Sequence, residues 1–136
     1  MDETLLCEFV SKVINGTVLI SSESKEVFIQ QYRTALEETK GIQGVVYVFK
    51  SEKLIPRLKA DSNILYIGET QYDAWSRYNV QNDTEIFWHL YSHIVQSYGP
   101  ICIDVYVTTE HKVTEKKFLT QYFQKHKELP PINRKG

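Results

Sequence analysis

The chain has 136 residues, of which 42% are apolar and 24% are charged, as in an ordinary globular domain. This composition excludes disordered and collagen-like chains, and no apolar run approaches the ~20 residues that a membrane-spanning helix needs. The acidic start (Asp2, Glu3, Glu8) differs from a secretory signal, and two cysteines cannot build a disulfide scaffold. We therefore expect a cytoplasmic protein without a membrane partner.

The formal net charge of −1 hides an uneven distribution of charge along the chain. Residues 1–40 hold 4 basic and 7 acidic side chains and residues 41–110 hold 5 and 8, so each segment is net −3. Residues 111–136 hold 7 basic and 2 acidic side chains, net +5. Because salt confines each charge to about 8–10 Å, this last segment is compatible with a polyanionic partner. A solvated lysine-rich helix is the alternative.

The first forty residues predict a pair of helices. The apolar residues that share one face of the first helix are Leu5, Leu6, Phe9, Val10, Val13 and Ile14. The second helix is predicted over residues 22–39, with Gly41 just past its end. We therefore predict two units: an N-terminal helical extension of residues 1–41, packed on a core domain of residues 42–136.

After residue 41 the pattern predicts the order strand, strand, helix, helix, strand, helix. The predicted strands are residues 45–49, 64–68 and 101–108, and the helices are about 73–78, from 83 onward, and about 114–128. The fourteen residues between the first two strands, 50–63, are expected to form a long loop of net charge +2.

Two tyrosines in neighbouring predicted strands are the first candidates for chemistry. The period of two lets Tyr47 and Tyr66 lie side by side if the strands pair, and Gly68 leaves the backbone accessible next to Tyr66. Since the chain holds 9 Tyr, ordinary packing of both rings is the alternative.

A glutamate in the last predicted helix is the second candidate. The inward face of this helix is expected to be formed by Phe118, Leu119, Tyr122 and Phe123. Glu115 points to the middle of that arc, where a carboxylate needs a partner, a cation or a metal ion. The alternative is an acid in the first helical turn that interacts with the helix dipole.

Taken together, these residues resemble the GIY-YIG nuclease family. Val-Val-Tyr, ending at Tyr47, and Leu-Tyr-Ile-Gly-Glu-Thr, at 65–70, are similar to its two signature motifs. Arg77 stands 11 residues after the second tyrosine, near where the family keeps an arginine. Glu115 begins a helix after the third strand, as the family's metal-binding glutamate does. Leu-Pro-Pro-Ile-Asn, ending at Asn133, is similar to the family's terminal motif with its structural asparagine.

The resemblance implies an α+β fold: a GIY-YIG-like three-stranded, mainly antiparallel sheet flanked by helices, here with the N-terminal helical pair added. It implies a metal-dependent endonuclease (a phosphodiester hydrolase) acting on duplex or branched DNA, with Mg²⁺ or Mn²⁺ bound by Glu115. Tyr47 would be the general base, Tyr66 would orient it, and Arg77 would stabilise charge on the phosphate. Asn133 completes the implied site, and a homodimer stays open.

The expected DNA contacts are basic residues of the long loop and of the carboxy-terminal segment. They are Lys50, Lys53, Arg57, Lys116, Lys117 and Arg134. With a near-neutral total charge, we expect weak and salt-sensitive binding.

The sequence departs from the family pattern near the arginine. Arg77 lies one residue later than in the commonest spacing, and Gln81 stands where the family often has His or Tyr, with Tyr78 as an alternative proton carrier. The alternative function is therefore a catalytically inactive protein of the same fold that regulates by binding nucleic acid or protein. A third reading is a protein-interaction module that uses the acidic N-terminal helices.

Overall fold

Within residues 5–77 and 81–133, which the computed structural model describes, four antiparallel strands form one sheet with helices on both faces. In chain order the elements are β1 (Val10–Ile14), α1 (Lys25–Glu37), β2 (Val45–Ile55), β3 (Ser62–Thr70), α2 (Ala74–Arg77), α3 (Gln81–Tyr98), β4 (Ile101–Thr108) and α4 (His111–His126). The side chains of Arg77 and of residues 81–85 lie outside the described part.

The strand order in the sheet is β1-β4-β2-β3, so β2 lies inside the sheet and β3 forms one edge. Tyr47 of β2 pairs with Gly68 of β3 on one side and with Val105 of β4 on the other. After residue 41 the elements follow the predicted order, and α1 lies within the helix predicted over residues 22–39. No helix of the described part is both long and apolar enough to span a membrane.

The predicted three-stranded sheet with an N-terminal helical pair is wrong. Residues that were expected to form the first helix contain strand β1, which pairs antiparallel with β4. Valine and isoleucine favour extended backbone, but a bulge between Val10 and Lys12 and exposed residues on this edge strand hide the strand alternation. Gly16 then crosses β4 so closely that a Cβ atom would collide with the carbonyl oxygen of Ile103.

The predicted long loop over residues 50–63 is also wrong, because β2 continues to Ile55 and β3 begins at Ser62. The strand continues because the charged residue at the start of this segment is buried together with an oppositely charged partner. Lys50 is buried in β2, and its Nζ lies 2.7 Å from a carboxylate oxygen of Asp104 on β4. A lysine that is paired in this way can occupy a buried strand position, whereas burying an unpaired lysine would cost too much free energy.

Two cores lie on opposite faces of the sheet, because successive residues of β2 point to opposite sides. The α1–α3 face is aromatic and includes Phe28, Tyr32, Tyr47, Phe49, Phe87 and Tyr91. The α4 face is smaller and includes Val46, Val48, Ile67, Phe118 and Tyr122. The catalytic tyrosine candidates therefore belong to the first core, and the helix that carries Glu115 covers the second.

Candidate active site

The two candidate tyrosines lie side by side, as the strand pairing predicted. The rings of Tyr47 and Tyr66 are stacked, with centroids 6.1 Å apart and an interplanar angle of 26°. Tyr47 is 1% exposed, and its hydroxyl donates a long hydrogen bond of 3.5 Å to the backbone carbonyl oxygen of Glu69. The phenol oxygen of Tyr47 therefore reaches the end of the edge strand β3.

Gly68 makes room for this tyrosine pair. A Cβ atom on Gly68 would lie 2.7 Å from Cζ of Tyr47 and 2.7 Å from Cε2 of Tyr66. These distances are far inside van der Waals contact, so both rings occupy the volume that any side chain at this position would need. The glycine of the second motif thus has a packing role in this chain.

A third phenol, Tyr91 of α3, packs against the same aromatic group. Its ring centroid lies 5.5 Å from that of Phe49, and its buried hydroxyl has no hydrogen-bond partner among the described residues. Burial raises the pKa of Tyr91 well above its ordinary value, and the neighbouring phenols of Tyr66 and Tyr47 raise it further. In the sequence, Tyr91 is one of the regularly spaced apolar residues of this helix, and that spacing gives no signal of this neighbourhood.

Glu115 lies half-buried on α4 beside the end of β3. Burial raises the pKa of the Glu115 carboxyl above its ordinary value, the charge of Glu69 raises it further, and His111 opposes both. Within the described part of the chain, Glu115 has no ion pair. The carboxylate therefore sits where its negative charge is unfavourable unless a cation is present.

The helix that carries Glu115 is rotated relative to the prediction. Its buried residues are Thr114, Phe118, Tyr122 and His126. Phe123, which was expected to face inward, is 51% exposed. Glu115 consequently lies at the edge of the buried stripe, where solvent reaches it.

Glu69 and His111 join the strand to the helix next to Glu115. His111 Nδ1 lies 2.5 Å from Oε1 of Glu69. We call Glu69, His111 and Glu115 the carboxylate cluster. Of these three residues, only Glu115 had a role predicted from the sequence. Glu69 directly follows the motif glycine and His111 begins the last helix, but only the folded chain brings the two together.

The carboxylate cluster is not a closed metal site built from protein ligands alone. In residues 5–77 and 81–133, no group of three or more His, Cys, Asp or Glu side chains could hold a metal ion. A hard divalent cation with few protein ligands still fits the chemistry of the donors. Two neighbouring carboxylates and a pKa raised by burial and like charge are both conditions that a bound cation relieves.

A cavity of about 690 Å³ opens between the end of β3 and α4. Glu69 and Glu115 belong to its lining, together with Lys112, Lys116 and Phe123. The carboxylate cluster is therefore accessible from solvent through a space that also contains basic and aromatic side chains.

Asn133 binds the carboxy-terminal segment to the outer edge of β3 through hydrogen bonds. Its side-chain amide donates to the carbonyl oxygen of Ile67 and accepts from the N–H of Ile67, both at 2.9 Å. The N–H of Ile132 also donates to the carbonyl oxygen of Leu65 at 2.9 Å. Because these bonds use the backbone of the edge strand, Asn133 supports the strand that carries Tyr66.

Arg77 is the last residue of the short helix α2, and its side chain lies outside the described residues. The position of α2 is fixed by Asp73, which accepts the N–H of Ser76 at 3.3 Å and the N–H of Gly41 at 2.6 Å. Tyr78 lies in the part of the chain that is not described, and so does the side chain of Gln81.

The predicted DNA contacts fall into two groups. In the first, internal partners already bind the cations of three residues: Lys50 pairs with Asp104, Arg57 with Glu128 at 2.9 Å, and Lys117 with Glu8 at 2.9 Å. The second group is exposed and consists of Lys53 and Lys116. Arg134 lies outside the described residues.

Comparisons with protein-family models, with curated proteins and with solved structures return no match to this chain. The resemblance to the GIY-YIG nucleases therefore rests on the motif residues themselves.

Proposed function

We propose that this chain is a metal-dependent endonuclease that hydrolyses DNA phosphodiester bonds. The observation that carries the proposal is that Glu69 lies next to both the candidate base and the candidate metal-binding carboxylate. The hydroxyl of Tyr47 bonds to the backbone oxygen of Glu69 from one core, and the side chain of Glu69 lies beside Glu115 on the other. A candidate base and a candidate cation-binding carboxylate thus each adjoin Glu69 at one end of the edge strand, from opposite faces of the sheet.

Tyr47 is proposed to accept the proton of the attacking water on its phenol oxygen. A free phenol has a pKa of about 10, so only about 0.1% is ionised at pH 7. Tyr47 therefore needs a nearby positive charge to act as a base. The stacked ring of Tyr66 holds the ring of Tyr47 in place, and Arg77 is proposed to bind the phosphate through its guanidinium.

Glu115 is proposed to hold Mg²⁺ or Mn²⁺, with water and phosphate oxygens as the other ligands. The chemistry that such an ion supplies is polarisation of the phosphate and stabilisation of the leaving oxygen. Glu69 adds negative charge beside Glu115, which favours a cation at this position, and His111 fixes the Glu69 side chain.

The test is cleavage of plasmid and branched DNA by the purified chain with Mg²⁺ or Mn²⁺. We expect nicking or cutting that stops when the metal is chelated and that is lost in Glu115→Ala and Tyr47→Phe. The matched controls are Glu23→Ala and Tyr72→Phe, which change exposed residues outside the cluster and should cleave normally. No cleavage with either metal, or cleavage undiminished in Glu115→Ala and Tyr47→Phe, would refute the proposal.

The second candidate is a non-catalytic nucleic-acid-binding regulator. It is favoured by the surroundings of Tyr47, a candidate base that is only 1% exposed and whose hydroxyl already donates to the backbone oxygen of Glu69. This candidate predicts salt-sensitive DNA binding without cleavage under any metal condition. The same assay, read for both bound and cut DNA, separates the two candidates.

A further inference from the structure

The cavity beside the carboxylate cluster has a wall that the nuclease proposal does not use. Leu119, Phe123 and Leu129 give this wall an apolar surface, and Lys112 and Lys116 add two cations. Its volume of about 690 Å³ is within the range of about 300–1,000 Å³ found for small-molecule sites. The cavity thus combines an exposed aromatic ring with two lysines that lie among the two carboxylates of Glu69 and Glu115.

Phe123 lies on the same side of α4 as Glu115, so one ligand in the cavity can contact both residues. Glu115, Leu119 and Phe123 are spaced by four residues and therefore share one side of α4. Phe123 follows Glu115 by two helical turns, about 12 Å along the axis. The side chain is 51% exposed, so its ring has free surface on which a ligand can pack.

The chemistry of this wall suits a nucleobase stacked on Phe123 whose strand runs toward Glu115, past Lys116 and Lys112. Bases stack on aromatic rings whatever their sequence, and lysines bind the adjoining phosphates. A base inside a continuous duplex is covered on both faces by its neighbours, whereas an unpaired base has a free face for Phe123. Because Phe123 lies about 12 Å from Glu115 along the helix axis, such a base lies a few nucleotides from the phosphate that is cut.

We infer that this cavity binds an unpaired base of the DNA strand, stacked on Phe123, with the phosphates between that base and Glu115 held by Lys112 and Lys116. The inference rests on the proposed nuclease function and specifies its substrate class as DNA with a single-stranded arm next to the cut. It accounts for an exposed phenylalanine on the same helix side as the proposed catalytic carboxylate.

The test is a binding measurement that requires no cleavage. Fluorescence anisotropy in the presence of a metal chelator compares a duplex with a fork of the same sequence. In the fork, 2-aminopurine replaces in turn each unpaired base next to the junction. We expect tighter binding of the fork, and quenching of one 2-aminopurine position as it stacks. Phe123→Ala should weaken fork binding by about 5- to 150-fold and abolish the quenching.

Two further variants control for folding and for ring chemistry. Phe123→Trp should retain fork binding, because a larger aromatic ring keeps the stacking surface. Val113→Ala removes another exposed apolar side chain of α4 that does not line this cavity, and it should bind the fork like the parent chain. Thermal unfolding of each variant confirms that the fold is intact.

The outcomes separate this inference from the nuclease proposal. Unchanged fork binding and unchanged quenching in Phe123→Ala would overturn the inference, as would equal affinity of the parent chain for fork and duplex. If the chain cleaves DNA through Glu115 but shows this unchanged binding, only the inference fails. If Phe123 governs fork binding but no DNA is cut, only the nuclease proposal fails.

Discussion

Asp104 and Glu115 are two acids of one fold with opposite surroundings. Asp104 is buried on β4, where one carboxylate oxygen lies 2.7 Å from Lys50 Nζ and the other accepts the N–H of Gly16 at 3.1 Å. Glu115 is half-buried beside a second acid, Glu69, which together with burial raises its pKa. The first acid is satisfied by its protein partners. The second is held in a position that a bound cation would make favourable.

The difference indicates which acid belongs to the scaffold and which to the chemistry. Asp104 on β4 binds a lysine of β2 and a backbone N–H of the segment that follows β1. It therefore links three segments of the chain. A carboxylate beside another carboxylate weakens the folded state, and sites of this kind concentrate where function needs them. Substitutions at these two acids and at the positions around them test this contrast.

Lys50→Met should cost the most stability. It leaves the Asp104 carboxylate buried without its cation, and breaking a buried pair in this way typically costs about 3–5 kcal/mol. Urea denaturation at pH 7 measures the loss of unfolding free energy. The double variant Lys50→Met with Asp104→Leu should recover much of it, because no unpaired charge remains. A loss below about 1 kcal/mol in the single variant would show that Asp104 does not depend on Lys50.

Gly68→Ala should destabilise the chain by about 1–3 kcal/mol and abolish cleavage. The new Cβ would lie 2.7 Å from atoms of both tyrosine rings, so the rings must move away from their stacked positions. The control is Gly41→Ala, where the added Cβ would meet no other atom within 4 Å but the backbone φ is +83°. That control should lose about 1–2 kcal/mol through backbone strain alone while cleavage continues. Equal activity of both variants would show that the stacked geometry is not required.

Asp73→Ala should cost about 1–2 kcal/mol, because it removes the cap of α2. Although burial alone would raise it, hydrogen bonds from Gly41 and Ser76 hold the pKa of Asp73 below its ordinary value. Because its folded-state pKa is lowered, the Asp73 carboxylate stabilises the fold at pH values above its ordinary pKa of about 3.9. This stability is lost as the pH falls through the folded-state pKa. Thermal unfolding against pH should therefore show the gap between parent and variant closing in acid. A constant gap would contradict this.

The local patterns of the sequence were sufficient for the order of the elements after residue 41 and for the tyrosine pair, although not for the length of β2 and β3. Strand alternation placed Tyr47 and Tyr66 in adjacent strands, and the smallest residue, Gly68, marked the place where both rings pack. These features depend on residues close together in the chain or on strand partners that follow one another, so periodicity alone is informative.

Features that depend on distant partners could not be predicted from sequence. The exposed edge strand β1 shows no alternation, and its pairing is visible only once β4 is placed beside it. The burial of Lys50 depends on Asp104, and the cluster around Glu115 depends on the contact of His111 with Glu69. Each of these requires the register of strands or the docking of α4, neither of which a local pattern contains.

Glu115→Gln should have the smallest effect on stability and the opposite sign to the other variants. The raised pKa means that the folded state binds the Glu115 proton more tightly than the unfolded state does. Stability therefore falls as the pH rises from the ordinary glutamate value, about 4.3, through the folded-state pKa. Above that window the charged parent chain is less stable than the neutral variant, and below it the two are equal.

The measurement is thermal unfolding of the parent chain and Glu115→Gln at neutral and at acidic pH, without and with Mg²⁺. We expect the variant to unfold at a higher temperature at neutral pH without metal, and the gap to close in acid. Mg²⁺ should raise the unfolding temperature of the parent chain only, since a ligand of the folded state stabilises it. Glu23→Gln, an exposed acid, is the control and should behave like the parent chain. If Glu115→Gln were less stable than the parent at neutral pH, Glu115 would be a satisfied acid like Asp104, and the reason to place a cation beside it would disappear.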